Sequence, residues 1–284
     1  MVILRKPLLL LFILFIGHLT SAQVIDTASL EISSDFKFRA IAEIGFLSVI
    51  NHKVQFSNNG TYFDYKKDGG QDVLFPVRRF SLELQVNKRN TFFLLYQPLR
   101  LESQVLLEDD LSVDDQVFPA TSSVRLLYNF PYYRFSYLRE LVKNNDSFKF
   151  AIGGSLQIRN ATISFESGDG TLYRTNRDVG LVPAFKVRSR KQFKRSVFVE
   201  LEADGIYAPI SYLNGSDNEV VGAILDASLR TGMGITQSTN TFLNIRYLGG
   251  GAVGTSDDDS GPGDGYVRNW LHFITVSAGF IYEW

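Results

Sequence analysis

The C-terminal stretch, residues 266–284, has the sequence YVRNWLHFITVSAGFIYEW and carries the clearest signal of the fold. Its side chains alternate between two faces, which is the period of a β-strand. The even-numbered face is mostly apolar and aromatic, with Trp270, His272, Ile274, Val276, Ala278, Phe280, Tyr282 and Trp284. The odd-numbered face is mixed, and Thr275, Ser277 and Glu283 lie on it. Such a strand separates an apolar environment from a polar one.

The same alternation recurs along the chain and predicts ten strands in all. They cover residues 36–46, 79–87, 93–104, 124–137, 148–159, 178–188, 197–204, 225–233, 243–247 and 266–284. Every second connection is a short turn, and the connections at the other end are mostly longer. Within the first long connection, Asn58-Asn59-Gly60 predicts a hairpin that projects from the rim.

This pattern resembles the bacterial outer-membrane β-barrel proteins, which have an even number of strands, short periplasmic turns and longer outward loops. The resemblance implies an all-β, transmembrane, antiparallel up-and-down barrel of about ten strands in the outer membrane of a Gram-negative bacterium. It also implies that the barrel-assembly machinery recognises Phe280, Tyr282 and Trp284. Outer-membrane lipid and lipopolysaccharide would be further partners. A soluble periplasmic barrel or sandwich remains the alternative fold.

The first 22 residues have the features of a secretory signal peptide. Arg5 and Lys6 precede the apolar run 8–16, and small residues at 20–22 predict cleavage after Ala22. Residues 23–284 are then expected to form a single barrel domain. The 284-residue chain contains no cysteine, which excludes disulfide stapling and a lipidated cysteine anchor.

Charge and hydropathy narrow the function classes further. Without the signal the chain has 27 basic and 30 acidic residues, and this balance does not suggest a nucleic-acid partner. No segment after the signal reaches about 18 consecutive apolar residues, so a helical membrane span is not expected. A closed barrel is the remaining way to cross a bilayer, because every backbone polar group must be paired internally.

Charged side chains of both signs share the inward face of the predicted strands. They predict a lumen charge network of Arg39, Glu43, Arg79, Glu83, Arg100, Glu102, Arg125, Glu200, Glu202, Asp226, Arg230 and Arg246. A ten-stranded barrel has a backbone diameter of roughly 20 Å, which long side chains largely fill. The charges are therefore interpreted as a salt-bridged plug, and a polar solute path through them is the other hypothesis.

Residues for catalysis are few. After the signal only His52 and His272 remain, the first expected in the long first loop and the second on the lipid-facing side of the last strand. A barrel protease would need His52 close to acidic rim residues such as Asp110 or Asp115. The residues 257–259 and Asp264 form an acidic, glycine-rich loop without the spacing of a calcium site. Neither a metal nor a cofactor is expected.

Three hypotheses for the function follow. The first is a non-enzymatic, porin-like barrel that is structural or forms a narrow pore for small solutes of unknown identity. The second is a barrel enzyme, a lipid hydrolase or protease, acting at the outer rim. The third is a surface binding or adhesion protein that uses its long loops.

Overall fold

The computed structural model describes residues 36–193, 196–209, 220–255 and 263–284. The predicted signal peptide and residues 23–35 lie outside these ranges. Fifteen strands lie within them: β1 (Phe36–Phe56), β2 (Phe63–Asp64), β3 (Leu74–Val86), β4 (Asn90–Gln97), β5 (Arg100–Leu106), β6 (Leu111–Val113), β7 (Gln116–Phe118), β8 (Ser123–Asn129), β9 (Tyr132–Glu140), β10 (Phe148–Ser167), β11 (Tyr173–Gln192), β12 (Val197–Pro209), β13 (Val221–Gly234), β14 (Thr239–Thr255) and β15 (Tyr266–Glu283).

These strands build one closed antiparallel barrel whose wall has ten positions, here called staves, each occupied by one strand or by two consecutive strands. Two staves are interrupted, one made of β4 and β5 and the next of β8 and β9. Each stave pairs with its neighbour in the chain, and β15 pairs with β1 to close the barrel, with Arg39 opposite Glu283 and Phe56 opposite Val267. The predicted ten-stranded up-and-down barrel is confirmed.

A proline lies at each interruption. Pro98 separates β4 from β5 and Pro131 separates β8 from β9. Proline has no N–H to donate to a neighbouring strand, so the ladder breaks at both positions. The amide of Phe130 donates to the carbonyl of Leu99 at 2.7 Å and links the two staves across the break.

The two ends of the barrel differ. The end that carries Phe36 and Glu283, the turn end, has short connections at 87–89, 141–147, 193–196 and 235–238. The opposite end, the loop end, has connections 57–73, 107–122, 168–172, 210–220 and 256–265. The predicted hairpin in the first of these exists, because β2 pairs with the top of β1, with Lys53 opposite Asp64 and Val54 opposite Phe63.

The outer surface nearer the turn end is a band of exposed apolar side chains. Representative members on successive strands are Ile44, Leu82, Leu94, Phe135, Ile158, Leu181, Leu201, Leu229, Leu243 and Val276. The interior at the same level is charged. An apolar exterior around a charged interior suits a bilayer and not water. The chain is therefore a transmembrane β-barrel of the outer-membrane type.

The long strands extend well beyond this band. A 20-residue strand such as β10 is about 65 Å long, roughly twice what a tilted strand needs to cross the hydrocarbon. At the loop end the interior changes from charged to apolar. The buried residues there, the loop-end core, include Leu47, Val54, Phe63, Tyr65, Leu99, Leu101, Phe118, Val124, Leu126, Tyr128, Phe165 and Phe273.

The prediction that Arg100, Glu102 and Arg125 face the lumen is wrong. Arg100 and Arg125 lie on the outer surface, with side chains 58% and 57% exposed, and both bind the carboxylate of Glu102. Their strands have left the hydrocarbon at this level, so water surrounds the outside and the loop-end core fills the inside. The polar-in, apolar-out rule holds only within the membrane and reverses above it.

Candidate functional site: the charged lumen

Nine of the twelve predicted network residues do face the lumen. Arg39, at the turn end, is partly exposed, and the others are buried: Glu43, Arg79, Glu83, Glu200, Glu202, Asp226, Arg230 and Arg246. They come mainly from β1, β3, β12, β13 and β14, where strict alternation turns every second side chain inward. The strands place these charges at three successive levels.

Glu43 is the centre of the middle level. Its Oε1 accepts from Arg79 Nη1 at 2.9 Å and from Arg230 Nη2 at 3.0 Å. Its Oε2 accepts from Asn244 Nδ2 at 2.8 Å and from Ser277 Oγ at 3.0 Å. The carboxylate thus has four donors from four strands, which is the satisfaction that a buried charge requires.

The turn-end level is built around Glu83 and Glu200. Glu83 accepts from Arg39 at 2.8 Å and from Arg188 at 3.0 Å. Glu200 accepts from Arg230 Nη1 at 2.7 Å, so Arg230 joins this level to Glu43. The Glu83 and Arg188 strands, β3 and β11, lie on different sides of the barrel, and their bond crosses the lumen.

The level toward the loop end contains Arg134, Lys186 and Asp204, which were not among the twelve predicted network residues. Arg134 lies 2.8 Å from Asp226 and 3.0 Å from Asp204, and Lys186 binds Asp204 at 2.8 Å and Glu202 at 2.7 Å. The two Arg134 pairs join strands that are not neighbours, β9 with β12 and β9 with β13, whereas Lys186 binds the neighbouring strand β12.

Arg246 completes this level. Its guanidinium binds Asp226 at 2.7 Å, Gln97 Oε1 at 2.6 Å and the hydroxyl of Tyr132. Gln97 and Tyr132 were missed because neither is charged and both adjoin a proline interruption. Tyr132 shares the inward parity of Arg134, which was an available signal, whereas the predicted inward parity of Arg100 and Glu102 placed Gln97 outward.

Little free space remains between these side chains. Two spaces within the network, one beside Glu202 and one beside Asn244, have volumes of about 10 Å³ each. That is close to the minimum for one water molecule. A larger cavity of about 210 Å³, the vestibule, lies at the turn end and is lined by Lys37, Gln85, Lys149 and Arg190 among others. The ion-pair network spans the lumen above the vestibule.

Neither histidine contacts Asp110 or Asp115. His52 lies in β1, not in a loop, and its Nδ1 is 2.7 Å from Gln71 Oε1 inside the loop-end core. Asp110 and Asp115 are engaged elsewhere, with the Ala120 amide and with Arg174. His272 faces outward and its Nδ1 is 2.7 Å from the Tyr247 hydroxyl.

The loop end is tied together by polar contacts between connections. Asp114 accepts from Ser57 Oγ at 3.1 Å and from Asn176 Nδ2 at 3.1 Å, and Thr61 and Ser112 exchange hydrogen bonds. Asp264 accepts from the Asn58 amide, and this bond and that from Tyr266 hold its pKa below the usual range. Residues 257–259 of the acidic loop lie outside the described residues. Among the residues that the structure does describe, no group of acidic or histidine side chains could hold a metal ion.

The three aromatics of the last strand lie on the outer surface at the turn end. Phe280, Tyr282 and Trp284 are all more than half exposed, and Trp284 stacks on Phe38 of β1 with ring centres 5.6 Å apart. This position leaves them accessible from the bilayer. Within the described ranges no helix is long and apolar enough to cross a membrane.

No protein-family model matches the sequence, and no curated protein matches it. Similar solved structures include the outer membrane protease OmpT from Escherichia coli, with 11% identity, 89% of this chain and 99% of that chain covered, and a TM-score of 0.47. The transport unit of the autotransporter AIDA-I from Escherichia coli has 9% identity, 95% and 97% coverage and a TM-score of 0.40. The toluene transporter TodX of Pseudomonas putida has 11% identity, 88% and 90% coverage and a TM-score of 0.35. The assignment as an outer-membrane barrel depends on the chain's own closed topology and apolar exterior.

Proposed function

We propose that the protein is a non-enzymatic outer-membrane barrel whose lumen is closed by a salt-bridged plug. The observation that supports this most strongly is the cross-lumen pairing, in which Glu83 of β3 binds Arg188 of β11 and Asp226 of β13 binds Arg134 of β9. Because these bonds span the interior, opening a path through the lumen requires breaking buried ion pairs. The barrel then acts as a membrane anchor that holds the loop end outside the cell. A narrow porin-like pore for small solutes is the competing form of this proposal.

The proposal includes the route to the outer membrane and the partners met there. The secretory signal delivers the chain of a Gram-negative bacterium to the periplasm, and the assembly machinery inserts it through Phe280, Tyr282 and Trp284. The exposed Arg100 and Arg125, just above the apolar band, are placed to meet the phosphates of lipopolysaccharide.

Solute flux tests the closed lumen. Liposomes that contain the refolded barrel should swell in small uncharged sugars no faster than empty liposomes. The Glu202→Ala variant, which removes the carboxylate bound to Lys186, should swell faster. Glu102→Ala removes a carboxylate on the outer surface and is the matched control, expected to behave as the parent. Fast swelling of the parent would contradict the plug and favour the pore.

A binding function for the loop end is the second candidate, favoured because contacts between its connections hold them in a fixed arrangement. The loop-end core and the Asp114 contacts fix connections 57–73 and 107–122 into one surface instead of leaving them as separate loops. If this surface binds other cells or matrix, cells that display the barrel should adhere to matrix-coated surfaces more than cells without it. The Asp114→Ala variant should reduce that adhesion with normal surface levels. Equal adhesion with and without the barrel would remove this candidate.

A further inference from the structure

The wall of the barrel is incomplete between β11 and β12. Their pairing runs from Gln192 opposite Phe198 to Phe185 opposite Gly205 and stops there. Both strands continue, β11 back to Tyr173 and β12 on to Pro209. The continuation of β12 pairs with β13 only, with Ile206 opposite Ile224 and Pro209 opposite Val221. Among the described residues, none pairs with Leu181–Ala184 on the β12 side.

This seam lies in the upper part of the apolar band. Leu181 is opposite Ile158 of β10, an exposed apolar residue, whereas the next outward position on β10 is Asn160. Large apolar side chains flank the seam on the outside, with Phe185 79% and Tyr207 75% exposed. The seam therefore opens toward the hydrocarbon of the outer leaflet.

The inward side chains behind the seam are less buried than their partners on β10. Inward residues on β10 are buried, as Ser155 and Gln157 are, but their partners across the pair, Ala184 and Val182, are only partly buried. A Cβ added at the inward-facing Gly180 would meet only the guanidinium of Arg159, at 4.0 Å. Directly below, the buried Lys186 and Asp204 form the floor. The seam thus leads to a space lined by Gly180, Val182 and Ala184, with the Arg159–Asp178 ion pair at its upper end and the ion-pair network below it.

An unpaired strand edge has a high cost in hydrocarbon. Each backbone N–H or C=O without a partner costs several kcal/mol there, and such edges persist only where they line a cavity that contains protein or water. Pro183 lies in the unpaired stretch and has no N–H to offer. An acyl chain cannot pair with these backbone groups, so they must be hydrated from the space behind the seam while the apolar flanks face the bilayer. A polar edge beside apolar flanks suits an amphiphile that enters sideways.

We propose that the seam is a lateral portal through which an acyl chain of an outer-leaflet lipid enters the upper lumen. The apolar flanks Leu181, Phe185 and Tyr207 guide the chain, and the small residues behind them accommodate it. The charged floor stops the chain from continuing toward the periplasm. This makes the space a lipid-binding site and does not depend on whether the lumen conducts solutes.

Disulfide trapping tests whether the seam is open. The chain has no cysteine, so paired substitutions are unambiguous. Ala184→Cys with Ile206→Cys would be opposite each other if the pairing continued by one residue. Val187→Cys with Ala203→Cys is the matched control, because these residues are paired and a disulfide needs Cα atoms about 4.4–6.8 Å apart. Under mild oxidation in intact membranes the control should crosslink almost completely and the seam pair by less than about a tenth of that. Equal crosslinking would show a closed wall and overturn the proposal.

Lipid access is tested on single-cysteine variants of the full chain carrying a small fluorophore. The label at inward-facing Val182→Cys should be quenched by lipids brominated in their acyl chains, at least half as strongly as a label at outward-facing Leu181→Cys. Gln85→Cys, which faces the vestibule, is the inward control and should not be quenched. Heat-dependent gel migration identifies the variants that fold. Quenching at Val182 no stronger than at Gln85 would overturn the proposal even if the seam is open.

Discussion

Replacing Glu43 by glutamine should destabilise the barrel strongly. The substitution keeps the shape of the side chain but removes the charge that Arg79 and Arg230 share. Both guanidiniums are nearly fully buried, so neither can recover its hydration. Asn244 and Ser277 would still find an acceptor, because the glutamine keeps one carbonyl oxygen.

The magnitude follows from the partners that remain. Removing one member of a buried pair costs about 3 to 5 kcal/mol, because it leaves an uncompensated charge. Arg230 keeps Glu200 at 2.7 Å and Arg79 keeps Glu202 at 3.7 Å. We therefore expect the lower end of that range, about 3 kcal/mol.

Glu102→Gln is the matched control. Glu102 also joins two arginines, at 2.7 Å and 3.0 Å, but on the exposed outer surface. An exposed pair contributes about 0 to 1 kcal/mol. Reversible urea unfolding of the refolded barrels in lipid vesicles measures both variants. Equal losses of unfolding free energy for the two variants would refute the reasoning from burial.

Three further predictions concern assembly, location and pH. Deleting Trp284 should lower the amount of folded barrel seen as a heat-shifted gel band while export is unchanged, and unchanged assembly would contradict its role as a signal. The parent should fractionate with the outer membrane, and recovery from the soluble periplasm without detergent would contradict the membrane assignment. Hydrogen bonds from Ser167 and Thr171 hold the pKa of Asp169 at about 2, below its ordinary 3.8. Because a lowered pKa stabilises the fold above the ordinary pKa and that contribution disappears as pH falls through about 2, the stability difference between the parent and Asp169→Asn should shrink on acidification. A constant difference from pH 6 to 2 would contradict it.

The staves of the barrel were predictable because a strand with two different environments must alternate. The last strand illustrates this, with Phe273, Thr275 and Ser277 buried inside and Val276 and Phe280 exposed outside. Alternation identifies the two faces of a strand without reference to the rest of the fold. The same property located Glu43, Arg230 and six other buried members of the network.

Alternation alone could not say which medium lies outside. At Arg100 and Arg125 the strand continues above the membrane, so the charged face belongs to water and Leu99 and Leu101 are buried inside. The strand length was the missing signal, since strands of up to 21 residues exceed the 9 to 11 that a bilayer requires. The seam was also beyond prediction, because a break in pairing depends on how two strands diverge and not on their sequences alone.

Single-channel recording tests the closed lumen most directly. The purified parent barrel, inserted into a planar bilayer, should show no steady conductance, because ion pairs such as Glu83 with Arg188 cross the lumen. Glu202→Ala should introduce current steps, and Glu102→Ala should remain silent. A large, steady conductance of the parent barrel would contradict the plug.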